Sequence, residues 1–266
     1  LFGTTAFREV SWPMAVMVWA AEKLIPSCYR KAWFHAISES TRDDLVGRGV
    51  PRERIAVVHP GVDSTRYHPA TDRARIAPPT FVYLGRLKRY KGVDFLLEAM
   101  SLVAESHHEM RLVVAGGGDD RPRLETLARR LGVSGRVEFA GFVDETEKLR
   151  LLRGAVANVF PSPKEGWGIT VMEAAACGTP SLASDSPGLR DSVRDGQTGI
   201  LVPHGDPAAL AAAMTGLVED AELASRLGDA AREHALVHTW QAAVDQVEAH
   251  LVDLARDGAI RPADIT

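Results

Sequence analysis

The chain has 266 residues, enough for one large domain or for one domain and part of another. Apolar residues make up 45% and charged residues 25%, and the net charge of −4 gives no basic field that would favour nucleic acid or an anionic membrane. Cys28 and Cys177 lie far apart and the nine histidines are scattered, so we predict neither a disulfide framework nor a zinc site, and expect a reducing cytoplasm.

The first sixty residues are expected to be the last part of a domain, because the chain starts at Leu1 without an initiator methionine and offers few elements there. The apolar run 10–21 is about half the ~20 residues that a membrane span needs, and it lies inside the chain without a basic n-region. The sequence therefore predicts neither a span nor a signal peptide. We expect a helix over 12–24, buried behind Pro13; a helix on a membrane surface is the alternative.

The rest of this segment reads as a strand over 33–38, a helix after Ser40 and a strand over 54–59. Ser40 or Thr41 is expected to cap the helix, and the two aspartates that follow are favoured by the helix dipole. Residues 59–80 then carry four prolines and no apolar period, which predicts a connector.

From residue 80 onward, short β-branched or apolar runs alternate with helical stretches. This alternation predicts an α/β fold with a doubly wound, Rossmann-like parallel sheet whose ligands lie at the carboxyl ends of the strands. The predicted strands are TFVYLG, RLVVAG, RVEFAG, AVANVF, PSLAS and GILV. The predicted helices cover 92–105, 121–131, 145–153, 168–177 and 187–194, and three alanine-rich helices follow residue 206.

The first of these strands runs into GRLKRYKG, residues 85–92. Gly85 would let a ligand approach the backbone, and Arg86 and Lys91 stand in the loop before the next helix. An arginine fork and a mobile lysine charge suit a diphosphate. A solvated basic loop is the alternative.

Three glycines follow the second strand in AGGGD. The stretch is not a G-x-G-x-x-G fingerprint, because Arg121 stands where the third glycine is needed. A tight turn and a ligand contact are both open interpretations.

The stretch PKEGWGITVMEAAACGTP, residues 163–180, leads from a strand through a loop into a helix that is predicted to begin near Gly168. The first-turn amides of such a helix, around Gly168, Ile169 and Thr170, lack helical partners and carry the positive end of the dipole. They form a natural phosphate site, which Gly166 would let a ligand approach closely.

Two glutamates flank these glycines. Glu173, about one and a half turns into the helix, could accept two hydroxyls of a ribose, and Glu165, at the mouth of the cleft, could accept hydroxyls of a sugar. The alternative is a pair of surface glutamates around a helix start.

Taken together, GRLKRYKG, AGGGD, FAGFV, PSPKEGWGITVMEAAACGTP and DGQTGILVPHGD resemble the C-terminal, donor-binding half of the retaining family-4 glycosyltransferases of the GT-B fold. The resemblance covers residues 80–206 and includes an E-x7-E pattern. HPGVD is similar to the interdomain hinge of the family, with His59-Pro60 as a departure from its pattern. HTW, residues 238–240, is similar to the start of the helix that crosses back to the N-terminal domain.

The resemblance implies roles for individual residues. Arg86 and Lys91 would hold the donor diphosphate, Glu173 the ribose, and Val143 the nucleobase through its backbone. It also implies transfer with retention at the anomeric carbon, with the leaving diphosphate stabilised by cations and a helix end in place of a metal. No cofactor is implied, because the nucleotide-diphosphate-sugar is the substrate.

The transferred sugar would be held by Glu165 with the amides of Gly166, Trp167 and Gly168. Glu165, Arg86 and Lys91 are thereby implied as the catalytic residues, and none is assigned as a covalent nucleophile. The implied acceptor is a glycan, a lipid or a small molecule, and nucleic acid is not an expected partner. A peripheral membrane contact through the N-terminal domain is a further expectation for this cytoplasmic protein.

The resemblance also implies domain boundaries: an N-terminal acceptor-side remnant over 1–60, a hinge over 61–79, a nucleotide-sugar-binding domain over 80–238, and a crossover helix and tail over 239–266. The glycine-rich first loop and the donor-facing histidine of the family would lie upstream of this sequence. His35, in a strand, is expected to pack locally instead. The fragment alone is therefore expected to be inactive.

Two other functions stay open. An isomerase or hydrolase of nucleotide sugars could use the same architecture but would need further acid or base residues in the cleft. A non-catalytic nucleotide-sugar-binding module would need only the residues that hold the donor.

Overall fold

The structure, a computed structural model, describes residues 11–29, 31–71, 75–103 and 106–256. Its N-terminal segment comprises α1 (Trp12–Cys28), β1 (Phe34–Ala36), α2 (Glu39–Gly47) and β2 (Ile55–Val57). The two strands pair in parallel, and α2 packs on them through a small core of Ala36, Leu45, Val50 and Ile55. The strand–helix–strand order that we predicted for this segment is present, with shorter strands.

The cap of α2 differs from the prediction. Ser38, rather than Ser40 or Thr41, is the N-cap, and its side chain accepts a hydrogen bond from the Thr41 amide at 3.1 Å. Ser40 instead lies within the helix, where its amide donates to Asp191 at 2.9 Å. The prediction failed because Ser38, Ser40 and Thr41 are all hydroxyl residues that can cap a helix. The tertiary contact between Ser40 and Asp191 determines which of them is the N-cap.

Helix α1 is not the buried helix that the sequence predicted. It runs to Cys28, with Pro26 inside it, and its side chains are largely exposed, including Trp12 at 71% and Met17 at 60%. The buried Glu22 pairs with Arg48 at 3.2 Å. Among the described residues, no helix has the length and apolar character to cross a membrane.

A six-stranded parallel sheet forms the main body of the chain and confirms the predicted fold. Its strands are β3 (Thr80–Leu84), β4 (Arg111–Ala115), β5 (Val137–Gly141), β6 (Ala157–Phe160), β7 (Ser181–Ser184) and β8 (Gly199–Val202). Their order across the sheet is β5-β4-β3-β6-β7-β8. The strand order therefore reverses between β3 and β6, and in open α/β sheets ligands bind at such a point.

Helices cover both faces of this sheet. They are α3 (Val93–Val103), α4 (Arg121–Arg130), α5 (Glu145–Gly154), α6 (Ile169–Ala176), α7 (Leu189–Ser192), α8 (Pro207–Glu219), α9 (Ala221–Leu236) and α10 (Trp240–Arg256). Alternate residues of β3 point to opposite faces of the sheet, each of which carries a hydrophobic core. Phe81 and Tyr83 pack with α3 and α8 on one face. Val82 and Leu84 pack with α5 and α6 on the other. The predicted helix over 92–105 ends at Val103 as far as it is described, because residues 104 and 105 lie outside the described residues. Helix α7 is shorter than predicted.

The connector and the last helix meet beside the sheet. The Val62 amide donates to the carbonyl oxygen of His238 at 2.8 Å, and a Cβ on Gly61 would overlap the backbone of Trp240. Helix α10 then returns to the N-terminal strands, where Nδ1 of His250 lies 2.7 Å from Nε2 of His35. The exposed His35 therefore contacts the last helix, 215 positions along the chain, rather than packing locally as predicted, and the domain boundaries stay predictions.

Candidate functional site

The loop after β3 and the loop after β6 lie side by side at the point where the strand order reverses. A Cβ on Gly92, whose φ is +71°, would lie 2.6 Å from the carbonyl oxygen of Pro161. The two loops can approach this closely only because a glycine stands there. They bring Lys91 and Glu165 together: the lysine Nζ lies 2.6 Å from Oε1 and 2.9 Å from Oε2 of the glutamate.

This ion pair is partly buried, with Lys91 14% and Glu165 15% exposed. The cation predicted for a diphosphate and the acid predicted for a sugar are therefore in direct contact. In a partly buried position such a pair is screened less than on the open surface. An anionic ligand that reached Lys91 would compete with Glu165 for its ammonium group.

Arg86, the second predicted cation, has an exposed side chain with no ion pair among the described residues. Its carbonyl oxygen accepts a hydrogen bond from the Tyr83 hydroxyl at 2.9 Å. Burial raises the pKa of Tyr83, so this phenol stays protonated and the bond persists. Gly85 leaves room for the Tyr83 hydroxyl, since a Cβ at position 85 would lie 2.9 Å from that oxygen. The loop backbone is fixed while the guanidinium is available to a ligand.

The glycines of AGGGD pack against this loop. Gly116 has φ +135°, and a Cβ on it would overlap the carbonyl oxygen of Gly85. A Cβ on Gly118 would overlap the carbonyl oxygen of Leu87. The geometry thus gives Gly116 and Gly118 a packing role, which favours the tight-turn interpretation of this stretch.

Helix α6 begins as predicted, with Gly168 as its N-cap at φ +87°. The amides of Val171 and Met172 donate to the Gly168 carbonyl oxygen, whereas Ile169 and Thr170 stand in the first turn, where amides have no intrahelical acceptor. The glycine leaves this end of the helix uncovered by a capping side chain. These amides are the positive end of the dipole on the β6–α6 loop, residues 161–168.

The β6–α6 loop is also held by contacts with the loop between β7 and α7. The Glu165 amide donates to the carbonyl oxygen of Pro187 at 3.1 Å, and a Cβ on Gly188 would overlap the Glu165 carbonyl oxygen. Trp167 is 2% exposed, so its side chain anchors the loop while Gly166 is exposed. The predicted sugar-binding amides therefore lie on a fixed backbone.

Glu173 has a different partner from Glu165. It is 8% exposed, and its Oε1 lies 2.8 Å from Nζ of Lys148 on α5. Its Oε2 has no hydrogen-bond partner among the described residues. A buried carboxylate oxygen without a partner costs free energy, which a hydroxyl donor from a ligand would recover.

The cavity beside Glu173 has a volume of about 610 Å³ and extends to the hinge. Lys148 donates to the Tyr67 hydroxyl at 2.8 Å, and that hydroxyl donates to Glu145 at 2.7 Å. The Tyr67 hydrogen bond lowers the pKa of Glu145, and burial raises the pKa of Tyr67. The cavity wall therefore carries a hydrogen-bonded chain of fixed charges.

Val143 lies two residues after β5, where the resemblance placed the nucleobase. Its side chain is half-buried against the core that contains Leu152, and the neighbouring Phe142 is 92% exposed. Asp144 then caps α5 by accepting from the Glu147 amide at 2.8 Å. The backbone role of Val143 stays a prediction.

Sequence reasoning missed Tyr67, Lys148 and His59 as members of this site. Tyr67 and Lys148 follow the HPGVD and GFV motifs by a few residues, and that proximity was the one signal in the sequence. His59 stacks on Trp167, with ring centroids 4.1 Å apart and planes 18° apart. These two rings are far apart in sequence, so no local pattern could connect them.

Comparison with known proteins shows the family to which the chain belongs. The family model described as glycosyl transferases group 1 matches residues 71–234, and the model of glycosyltransferase family 4 matches residues 3–66. The D-inositol 3-phosphate glycosyltransferase of Streptomyces bingchenggensis is 36% identical over 245 residues, which cover 85% of this chain and 52% of that protein. The glycogen synthase of Mycobacterium tuberculosis is 37% identical over 190 residues, which cover 71% and 45%.

Solved structures share the fold. The sucrose-phosphate synthase of Thermosynechococcus elongatus matches with a TM-score of 0.80 and 27% identity, over 96% of this chain and 66% of that one. Anabaena HepE in complex with UDP-glucose matches with a TM-score of 0.77 and 21% identity, over 84% and 64%. This chain spans about half the length of the relatives named from sequence. The chain has the α/β fold and a candidate site at the strand reversal, and the family model matches it over residues 71–234. The chain therefore belongs to the group 1 glycosyltransferases, which have the GT-B fold.

Proposed function

We propose that this chain is the donor-binding part of a retaining glycosyltransferase. The enzyme would move a hexose-type sugar from a nucleotide-diphosphate-sugar to a glycan, lipid or small-molecule acceptor. The observation that carries the proposal is the contact of Lys91 with Glu165, which joins a cation and a sugar-type carboxylate at the reversal of the sheet. HepE, solved with UDP and glucose, and TarM, solved with UDP, support a nucleotide donor for the family.

Each candidate residue is assigned to a different part of the donor. Arg86 and Lys91 would hold the diphosphate with the first-turn amides of α6, which carry partial positive charge. Glu173, through its unpartnered Oε2, would accept a ribose hydroxyl. Glu165 would accept hydroxyls of the transferred sugar. Val143 would meet the base through its backbone.

The chemistry follows from where charge develops. As the bond from the anomeric carbon to the diphosphate breaks, negative charge grows on the leaving phosphate oxygens. Lys91, Arg86 and the helix amides would surround that position when the donor is bound, and positive charge so placed lowers the barrier for such a step. No divalent metal is needed in this proposal, because these groups already offset the phosphate charge, and no cofactor takes part. We assign no covalent nucleophile, because Glu165 is engaged with Lys91.

The proposal is tested with the complete protein, since the chain spans about half the length of its relatives. Radiolabelled UDP-, GDP- and ADP-sugars would be incubated with glycan, lipid and small-molecule acceptors. We expect transfer from one donor class, and the product should keep the anomeric configuration of the donor by NMR. Conversion of the sugar without an acceptor would instead indicate an isomerase or hydrolase, and binding without turnover a non-catalytic module.

Location and membrane contact belong to the same proposal. Both Cys28 and Cys177 are free, as a reducing cytoplasm permits. The exposed apolar side chains of α1 support a peripheral membrane contact. Flotation of the complete protein with lipid vesicles would show binding that Trp12→Ser with Met17→Ser weakens.

A further inference from the structure

The β6–α6 loop contacts residues from the N-terminal segment as well as its own sheet. Ile37, just after β1, lies so close to Gly166 that a Cβ there would be 2.7 Å from the Ile37 Cδ1. His59, just after β2, covers the next residue, Trp167. Two neighbouring residues of the loop that follows Glu165 are thus touched by the carboxyl ends of both N-terminal strands.

The ring of His59 is fixed in this position. Its Nδ1 donates to the Ile37 carbonyl oxygen at 3.1 Å, which sets the orientation of the imidazole. The ring lies nearly parallel to the Trp167 indole, with centroids 4.1 Å apart. Trp167 makes no compensating polar contact, because its Nε1 has no hydrogen-bond partner among the described residues. Trp167 is therefore held by packing alone, in the apolar core that contains Met172 and against the neighbouring rings.

His238, between α9 and α10, completes the packing. Its ring centroid lies 5.4 Å from that of Trp167 and 5.5 Å from that of His59. Its Nδ1 donates to the His234 carbonyl oxygen at 2.9 Å, so the ring cannot turn away freely. The indole and the two oriented imidazoles thus form a triangle of contacting rings, and the imidazoles belong to two different parts of the chain.

We propose that His59 is a positioning residue of the glycosyl transfer. By stacking on Trp167, it sets the backbone of Glu165–Gly168, so that Glu165 and the adjoining amides face the transferred sugar. This inference rests on the function proposed above, and it adds a residue that touches neither the donor nor the acceptor. The diphosphate depends less on the stack, because Arg86 and Lys91 hold it from the β3 side and it shares only the first-turn amides of α6 with the positioned loop.

The test compares three variants with the parent chain. His59→Ala removes the ring, His59→Phe keeps a ring that can stack but cannot donate to Ile37, and His108→Ala removes an exposed histidine far from the loop as a control. Titrations use UDP with UDP-glucose, GDP with GDP-mannose and ADP with ADP-glucose. An aromatic contact of this kind corresponds to about a two- to tenfold change in an equilibrium constant.

We expect His59→Ala to weaken the nucleotide sugar about two- to tenfold more than the free diphosphate. His59→Phe should restore most of that difference, and His108→Ala should match the parent. In the complete protein kcat should fall in addition to this loss of affinity, because the sugar that does bind is poorly aligned. Equal weakening of diphosphate and nucleotide sugar, or no rescue by phenylalanine, would overturn the proposal.

Hydrogen exchange gives a readout that needs no ligand. The amides of residues 165–168 should exchange about two- to tenfold faster in His59→Ala than in the parent, and at the parent rate in His59→Phe. Unchanged exchange in His59→Ala would overturn the positioning role. If no nucleotide sugar bound the parent, the proposed function would fail, and the exchange rates would still decide whether His59 positions the loop.

Discussion

Lys91 and Glu165 form a partly buried ion pair across the point where the strand order of the sheet reverses. The lysine ends the loop after β3, and the glutamate stands in the loop after β6. Because these two strands are neighbours, the ion pair lies at the carboxyl edge of the sheet, where ligands bind in such folds. The two acids of the E-x7-E pattern therefore have different ion-pair partners, because Glu173 pairs with Lys148 instead.

The two cations should matter for any nucleoside diphosphate, whatever its base. Arg86→Ala and Lys91→Ala should each weaken diphosphate binding by about tenfold or more, because hydrogen bonds to charged groups contribute roughly 1.5–3 kcal/mol. Isothermal titration calorimetry measures this directly. Arg89→Ala, an exposed arginine of the same loop, serves as the control and should bind like the parent. Unchanged affinity in both site variants would rule out the diphosphate role.

The packing of AGGGD predicts a contrast between adjacent glycines. Gly116→Ala should destabilise the fold by about 1–3 kcal/mol, because its Cβ would overlap the Gly85 carbonyl oxygen at a φ of +135°. Gly117→Ala should be nearly neutral, since a Cβ there meets nothing within 4 Å. Urea unfolding of the two variants checks this. Equal stabilities would show that the glycines are not required by packing.

The pH dependence of stability should report on His234. This residue is buried, and its ring nitrogens have no hydrogen-bond partner among the described residues. Burial, with smaller contributions from His238, Arg194 and His59, lowers the pKa of His234 to about 4. The unfolded chain therefore binds the proton first, so the contribution of His234 to stability is lost as the pH falls from about 6.5 towards 4.

Between pH 7 and pH 5 this loss should reach about 2 kcal/mol in the free energy of unfolding. His234→Leu should reduce that difference, whereas His108→Leu, at an exposed position, should leave it as in the parent. Urea unfolding at the two pH values gives both numbers. An identical pH dependence in His234→Leu and the parent would contradict this assignment.

Transfer by the complete protein should proceed without a divalent metal. In the proposed mechanism, Arg86, Lys91 and the first-turn amides of α6 would supply the positive charge that the leaving diphosphate needs. Turnover measured in EDTA should therefore equal turnover in buffer alone. Loss of turnover in EDTA, with recovery on adding Mg²⁺ or Mn²⁺, would contradict the metal-independent mechanism.

The sheet could be predicted from the sequence because its strands are continuous apolar runs separated by helical stretches. β3 (Thr80–Leu84) and β4 (Arg111–Ala115) lie where these runs predicted them. Exposure of α1 could not be predicted, since an apolar helix looks the same in sequence whether or not another element covers it. The N-cap at Ser38 was missed for a related reason, because the contact of Ser40 with Asp191 is a tertiary one.

The sequence indicates candidate site residues and not their pairings. Arg86, Lys91 and Glu165 are candidates because each stands in a loop after a strand, and Glu173 because it stands in the helix behind the glycines; their roles stay predictions. The contact between Lys91 and Glu165 joins residues 74 positions apart, which no local pattern specifies. Lys148 was missed because a lysine in the first turns of a helix is usually a solvated surface residue.

The division of labour between the two acids is the central claim, and parallel titrations of two variants test it most directly. Glu173→Gln should weaken the free nucleoside diphosphate and the nucleotide sugar about equally, because the ribose is common to both. Glu165→Gln should leave diphosphate binding nearly intact and weaken the nucleotide sugar, and in the complete protein it should lower turnover. Solvated surface glutamates would instead change neither affinity beyond about 0.5 kcal/mol. Identical binding profiles for Glu165→Gln and Glu173→Gln would contradict the account.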